Sequence, residues 1–247
     1  IQSYFRDDDT RNFRNPVQVI RFNDEESTEW DVDYVYPQLF LATQADQSVR
    51  GSFEADVITG GFGDDAFIGA AGNDVLTGDE GNDTLTGDAG ADTLNGGAGK
   101  DTLNGGADDD HLFGDAGDDS LTGGAGNDAL TGGAGSDTLQ GNAGDDTFYF
   151  EQGDGSDTIA EVYEDRAEKR NVLQLGAGIS PESVSFWRSS NNLILSINAF
   201  DRVTIQSYFR DDDTRNFRNP VQIVRFSDEG STEWDVDYVY PQLFLAT

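Results

Sequence analysis

The chain has 247 residues and a formal net charge of −33, from 48 Asp and Glu against 15 Lys and Arg, with no Cys, no Met and one His. That composition excludes a disulfide framework and a thiolate metal site. It leaves no apolar run near the roughly 18 residues of a membrane span, and its acidity argues against nucleic acid as a partner. Low hydrophobicity with high charge normally means disorder, unless something neutralises the charge where it is densest.

In chain order, residues 1–43 come first, rich in Trp, Tyr, Phe and Val. They recur at 205–247 with four differences, Val19/Ile223, Ile20/Val224, Asn23/Ser227 and Glu26/Gly230. The offset is 204 residues, so 1–43 is expected to be the tail of a preceding unit and 44–247 one full unit, cropped from a longer tandem protein. Asp7, Asp8 and Asp9, repeated as Asp211, Asp212 and Asp213, are flanked by Arg6, Arg11, Arg210 and Arg215. They are read as a solvated, internally paired loop rather than a cation site. Trp30, Trp187 and Trp234 lie in alternating patterns and are expected to pack in a core.

Residues 51–149 differ: they hold 21 acids and a single base, Lys100. A frame of nine residues starts at every ninth position from Gly51 to Gly141, eleven times. Position 4 is Gly except at Glu54 and Asp108. Position 6 is always Asp: Asp56, Asp65, Asp74, Asp83, Asp92, Asp101, Asp110, Asp119, Asp128, Asp137 and Asp146. Position 8 is always apolar, from Ile58 and Phe67 through a run of Leu to Phe148. A shifted copy places Gly153, Gly155, Asp157 and Ile159 in the same roles.

Nine residues suit a six-residue turn and a three-residue strand. Two such units make a coil of 18, and stacked coils predict an all-β, right-handed parallel β-roll over 44–160. Ile58, Leu76, Leu94, Leu112, Leu130 and Phe148 then stack in one sheet, and Phe67, Leu85, Leu103, Leu121 and Leu139 in the other. The same stacking aligns the aspartates in two rows at about one strand spacing, roughly 4.7–4.9 Å. Such rows repel unless a cation lies between them. With no His or Cys row, a hard divalent ion held by carboxylates and glycine-turn carbonyls is the natural partner. The rows contain nine gaps, so about nine ions would nearly cancel the charge, and folding is expected to require them.

GGAGNDALTGGAGSDTLQGNAGDD, at 123–146, resembles the RTX, or haemolysin-type, calcium-binding nonapeptide. The resemblance implies Ca²⁺ held between turns 18 residues apart, by both aspartates and by turn carbonyls. It offers the carbonyls of Asp79, Gly81, Gly96 and Ala98 to an ion between Asp83 and Asp101. It offers those of Asp115, Gly117, Gly132 and Ala134 to one between Asp119 and Asp137. Along the remaining coils it adds Gly60, Gly63, Gly69, Gly72, Gly78, Gly87, Asp88, Gly90, Gly97, Gly99, Gly105, Gly106, Gly114, Gly123, Gly124, Gly126, Gly133, Gly135 and Gly141. Asp108, in place of Gly, is expected at positive φ.

Residues 161–247 read as strands (NVLQLGAGI, SVSFWRSSNNLILSI, RVTIQSYF, VQIVRF and TEWDVDYV), with a hairpin at Ser189–Asn192 and a helical turn at Ser180–Glu182. They are expected to cap the roll. His111 stands alone, so no HExxH site exists, and the glycine strings lack the βαβ setting of a dinucleotide loop. No catalytic residue is assigned. The expectation is a non-catalytic calcium-binding repeat of a secreted or surface bacterial adhesin or exoprotein. The resemblance implies export by type I secretion machinery and folding outside the cell. No N-terminal signal peptide is visible. Alternatives are an accessory module of an exoenzyme or toxin, and a module that binds a glycan or surface protein.

Overall fold

The structure, a computed structural model, describes residues 46–160, 170–208, 221–227 and 232–235, with strands also at Val19–Phe22 (β1), Glu29–Trp30 (β2) and Leu39–Thr43 (β3). The acidic runs at 7–9 and 211–213, their flanking arginines and the side chain of Trp30 lie outside the described residues.

One frame yields one strand. After Gln47–Arg50 (β4) come Val57–Phe62 (β5), Ala66–Ala71 (β6), Val75–Glu80 (β7), Thr84–Ala89 (β8), Thr93–Ala98 (β9), Thr102–Ala107 (β10), His111–Ala116 (β11), Ser120–Ala125 (β12), Ala129–Ala134 (β13), Thr138–Ala143 (β14), Thr147–Phe150 (β15) and Ser156–Ile159 (β16). Each pairs in parallel with the strand two frames on, so β4 to β16 alternate between two sheets. Leu103 stands opposite Leu85 and Leu121, and Leu112 opposite Leu94 and Leu130. The position-8 side chains from Ile58 to Phe148 are at most 2% exposed and form the core between the sheets. The chain is thus an all-β parallel β-roll.

Most of these strands run six residues, not three. Pairing resumes after the position-1 glycine and continues through positions 2 and 3, as in Gly106 opposite Gly124. The N–H of position 4 then reaches the carbonyl of position 3 one coil on, as in Gly81 to Ala98 at 2.9 Å. The turn therefore keeps the parallel ladder instead of interrupting it. The left-handed backbone falls at positions 2 and 4. Position 4 includes Asp108, at φ +79° as expected. At position 2, Asp79, Asp88, Asp115 and Asn142 take up the conformation that Asx side chains tolerate; Ala70, at φ +88°, is the strained exception.

Behind the roll, Val172–Leu175 (β17) continues the odd sheet and Arg202–Ile205 (β20) the even one. Pro181–Ser183 forms the expected turn, of 3-10 type. Ser185–Ser189 (β18) and Asn192–Ser196 (β19) make the hairpin antiparallel to β20. Ile223–Phe226 (β21) lies parallel to β17 and is closed by Glu233–Asp235 (β22). Trp234 is buried, edge-on to Phe226 at 4.6 Å and Phe186 at 5.7 Å. Trp187 departs from expectation: it is 43% exposed, because the alternation of the outer strand β18 turns Phe186 inward and Trp187 out. Among the described residues no helix is long and apolar enough to cross a membrane.

Candidate metal centre

Each position-6 aspartate precedes its strand and is at most 3% exposed. Stacking by 18 residues gives its two oxygens different fates. Oδ1 accepts the backbone N–H of the aspartate one coil earlier: Asp83 N–H to Asp101 at 2.7 Å, Asp101 to Asp119 at 2.8 Å, Asp119 to Asp137 at 2.9 Å. The other row does the same from Asp56 through Asp74, Asp92, Asp110 and Asp128 to Asp146. Oδ2 of every position-6 aspartate from Asp65 to Asp137, and of Asp157, is buried and receives no hydrogen bond. A buried carboxylate oxygen without a donor is costly, and here the cost repeats along both rows.

What faces that oxygen is equally regular. A Cβ on Gly78 would overlap Oδ2 of Asp83 and the carbonyl oxygen of Gly96, and one on Gly105 would overlap Oδ2 of Asp110 and the carbonyl of Gly123. Position 1 is therefore Gly for space, since φ there is ordinary, and the space brings a carboxylate oxygen and a carbonyl oxygen to one spot. The position-2 and position-4 carbonyls, such as those of Asp79 and Gly81, point at the glycines one coil on, Gly97 and Gly99. The Ala98 and Ala134 carbonyls each accept an N–H, from Gly81 and Gly117. Among the described residues no three His, Cys, Asp or Glu side chains converge, so a cation here would take at most two carboxylates and complete its shell with carbonyls. The donors are all oxygen, which fits a hard divalent ion.

Burial pushes these carboxyls up, to about 7 for Asp83, Asp110 and Asp119 and about 6 for Asp65, Asp74 and Asp128; neighbouring carboxylates raise them further, against the pull of the donated N–H. Burial also raises Asp92, Asp101, Asp137 and Asp157. The rows store carboxylate charge that the protein alone does not balance.

The ends of the rows differ from their middle. Asp56 Oδ2 accepts the N–H and hydroxyl of Ser52 at 2.7 and 3.0 Å, so the first frame satisfies its own carboxylate. The shifted copy does join the ladder: Asp157 Oδ1 accepts the N–H of Asp137 across the inserted residues, and Gly155 bridges Gly135. Beyond that neither row continues in acid, and Asp201, the buried acid of the described cap, instead accepts the N–H groups of Gly153 and Gly155. Asp157 lies opposite Val203. In the other row Asp146 donates its N–H to Asn171 Oδ1 and Asn171 to Gln222 Oε1, both within 2.8 Å. At the front, Gln47 donates its N–H to Asp65 Oδ1. Uncharged amides thus hold the row positions next to the acids at Gln47 and Asn171.

Sequence reasoning missed a second, exposed ladder at position 5, running the other way. Oδ1 of Asp64, Asn73, Asn82, Asp109, Asp118 and Asn127 accepts the N–H of the position-5 residue one coil later. Its signal was available, since position 5 is Asp or Asn in seven of eleven frames.

The family of the RTX calcium-binding nonapeptide repeat matches the chain at residues 42–76, 68–103, 77–112, 95–130 and 122–157. Residues 42–157 are accordingly an array of RTX calcium-binding repeats, and that region is a structural element. No curated protein matches it. Among solved structures it is similar to the extracellular lipase LipA from Serratia marcescens, at 20% identity and a TM-score of 0.32, over 62% of this chain. The chain spans 36% of that lipase's length.

Proposed function

We propose that residues 44–160 are a non-catalytic, calcium-folded roll of a secreted or surface-exposed bacterial protein. Residues 1–43 are the tail of a preceding unit and 161–247 a β-rich cap. One observation carries the reading: in two rows of buried carboxylates, the Oδ2 atoms of the position-6 aspartates from Asp65 to Asp137, and of Asp157, lack donors and sit beside glycine carbonyls. Calcium in the gaps would supply positive charge opposite paired acids and accept an irregular oxygen shell. The chain's own part is then defined. Oδ1 ties each coil to the one before, Oδ2 and the position-1 carbonyl line the gap, and the leucine stack closes behind them. About nine gaps between the acids carry ions. Without them the like charges oppose stacking, so the segment stays open where calcium is scarce and folds where it is plentiful. That behaviour suits a chain exported unfolded by type I secretion machinery. The 204-residue duplication favours a tandem-repeat adhesin or exoprotein, in which a glycan or surface protein is a partner for the flanks.

The test is circular dichroism and small-angle scattering with millimolar calcium or with EDTA. At pH 8 a compact β-rich state is expected only with calcium; the same compact state under EDTA at that pH overturns the reading.

A further inference from the structure

The duplicated segment occurs twice in this structure, in two settings. In both it forms the same hairpin: Ile20 opposite Trp30 and Arg21 opposite Glu29 in β1–β2, Val224 opposite Trp234 and Arg225 opposite Glu233 in β21–β22. The other edge of the strand differs. β21 lies parallel to β17, behind a roll, whereas β1 lies antiparallel to β4, in front of one. A strand has two edges and the hairpin takes one, so the remaining edge serves one roll at a time. Farther along, the first copy makes a separate attachment: β3 lies parallel to β5 and begins the ten-stranded sheet. The four positions that distinguish the copies fall within 19–26, in and beside the hairpin strand; 27–43 is repeated without change.

We infer that this 43-residue segment is a two-ended joint, and that its partner on each side is a roll of the same 204-residue unit. Between two rolls the hairpin belongs to the one before it. There Val224, Phe226 and Trp234 are buried and the tryptophan packs edge-on against Phe226 and Phe186. The strand Leu39–Thr43 belongs to the roll after it. Consecutive rolls are then joined by paired backbone rather than a slack linker, and β4 gives up its pairing with β1. The inference rests on the tandem-unit reading above but not on the metal.

The test places residues 44–204 ahead of residues 1–247, giving roll, joint and roll in one chain. In calcium, small-angle scattering should report one elongated rigid particle. Hydrogen exchange should stay slow at 39–43 and become faster at 47–50 than in the present chain. Phe40→Pro falls at a paired position of β3, opposite Thr59, and disrupts its ladder. It should convert the scattering to two tethered bodies and leave the calcium-dependent circular dichroism of the rolls unchanged. Two tethered bodies already in the parent two-roll chain, or scattering unmoved by Phe40→Pro, overturns the joint. Rolls that keep their β signal under EDTA overturn the calcium reading alone, because the exchange pattern at 39–43 and 47–50 still reports on the joint.

Discussion

From Gln47 to Asp137 the buried N–H bonds that clamp coil to coil are received by carboxylates; after Asp146 the same bonds are received by Asn171 and then Gln222. Roll and cap share one way of stacking strands and differ in the charge on the acceptor. The roll has glycine at every coil edge and unbalanced acid within. The cap has hairpins, a buried tryptophan and neutral amides. An amide accepts the ladder bond as well as an acid and adds no repulsion, so the repeated choice of Asp in the roll is not explained by the hydrogen bond. It is explained by what the second oxygen can do, which makes the roll conditional on a cation and leaves the cap free of that condition.

The most severe way to break this contrast is chelation. EDTA should abolish slow hydrogen exchange across β5–β15 and affect β19–β21 much less; uniform loss, or none, would remove the distinction. Next in size is Leu103→Ala, which opens a cavity in the leucine stack and should cost about 2–5 kcal/mol with calcium present, read by thermal melting. Gly96→Ala forces a methyl group into the space held by Asp101 Oδ2. It should cost about 1–3 kcal/mol and lower the number of bound ions, which calorimetry counts.

A change of sign is expected from pH. Asp65 sits near 6 and Asp83, Asp110 and Asp119 near 7 when folded, against an ordinary value of 3.8. The folded form therefore holds more protons between those values, and calcium-free stability falls as pH rises from about 4 through 7. Calcium-free protein should show more β structure at pH 4 than at pH 8. Asp101→Asn should move in the same direction at neutral pH, raising calcium-free stability while weakening the calcium response. A variant that weakens both would place the role of Asp101 in the hydrogen bond. The smallest effect is Ala70→Gly, which relieves a left-handed alanine and should stabilise by about 1 kcal/mol, seen as a small rise in melting temperature.

The period of nine made the roll legible. Register, the leucine stacks and both aspartate rows follow from a spacing that never slips between Gly51 and Gly141. The split between Oδ1 and Oδ2 was not legible, because it depends on where an N–H of the neighbouring coil points. Nor were the amide ends of the ladder: Asn171 follows Asp146 by 25 residues and Gln222 follows Asn171 by 51, separations that carry no period. Trp187 was misplaced because alternation shows that a strand has two faces and is silent on which one meets the core at a sheet's edge.

Successive frames enter opposite sheets, and only frames one coil apart share hydrogen bonds. Removing nine residues would therefore leave β17 beside β15 and β20 beside β16, but β17 would then continue the sheet that β4 starts rather than the one that β3 starts. Removing eighteen would shorten the roll by a coil and keep its two ends in phase. For slippage and unequal crossing-over in such a gene, the pair of nonapeptides is the step that preserves the direction in which one end faces the other.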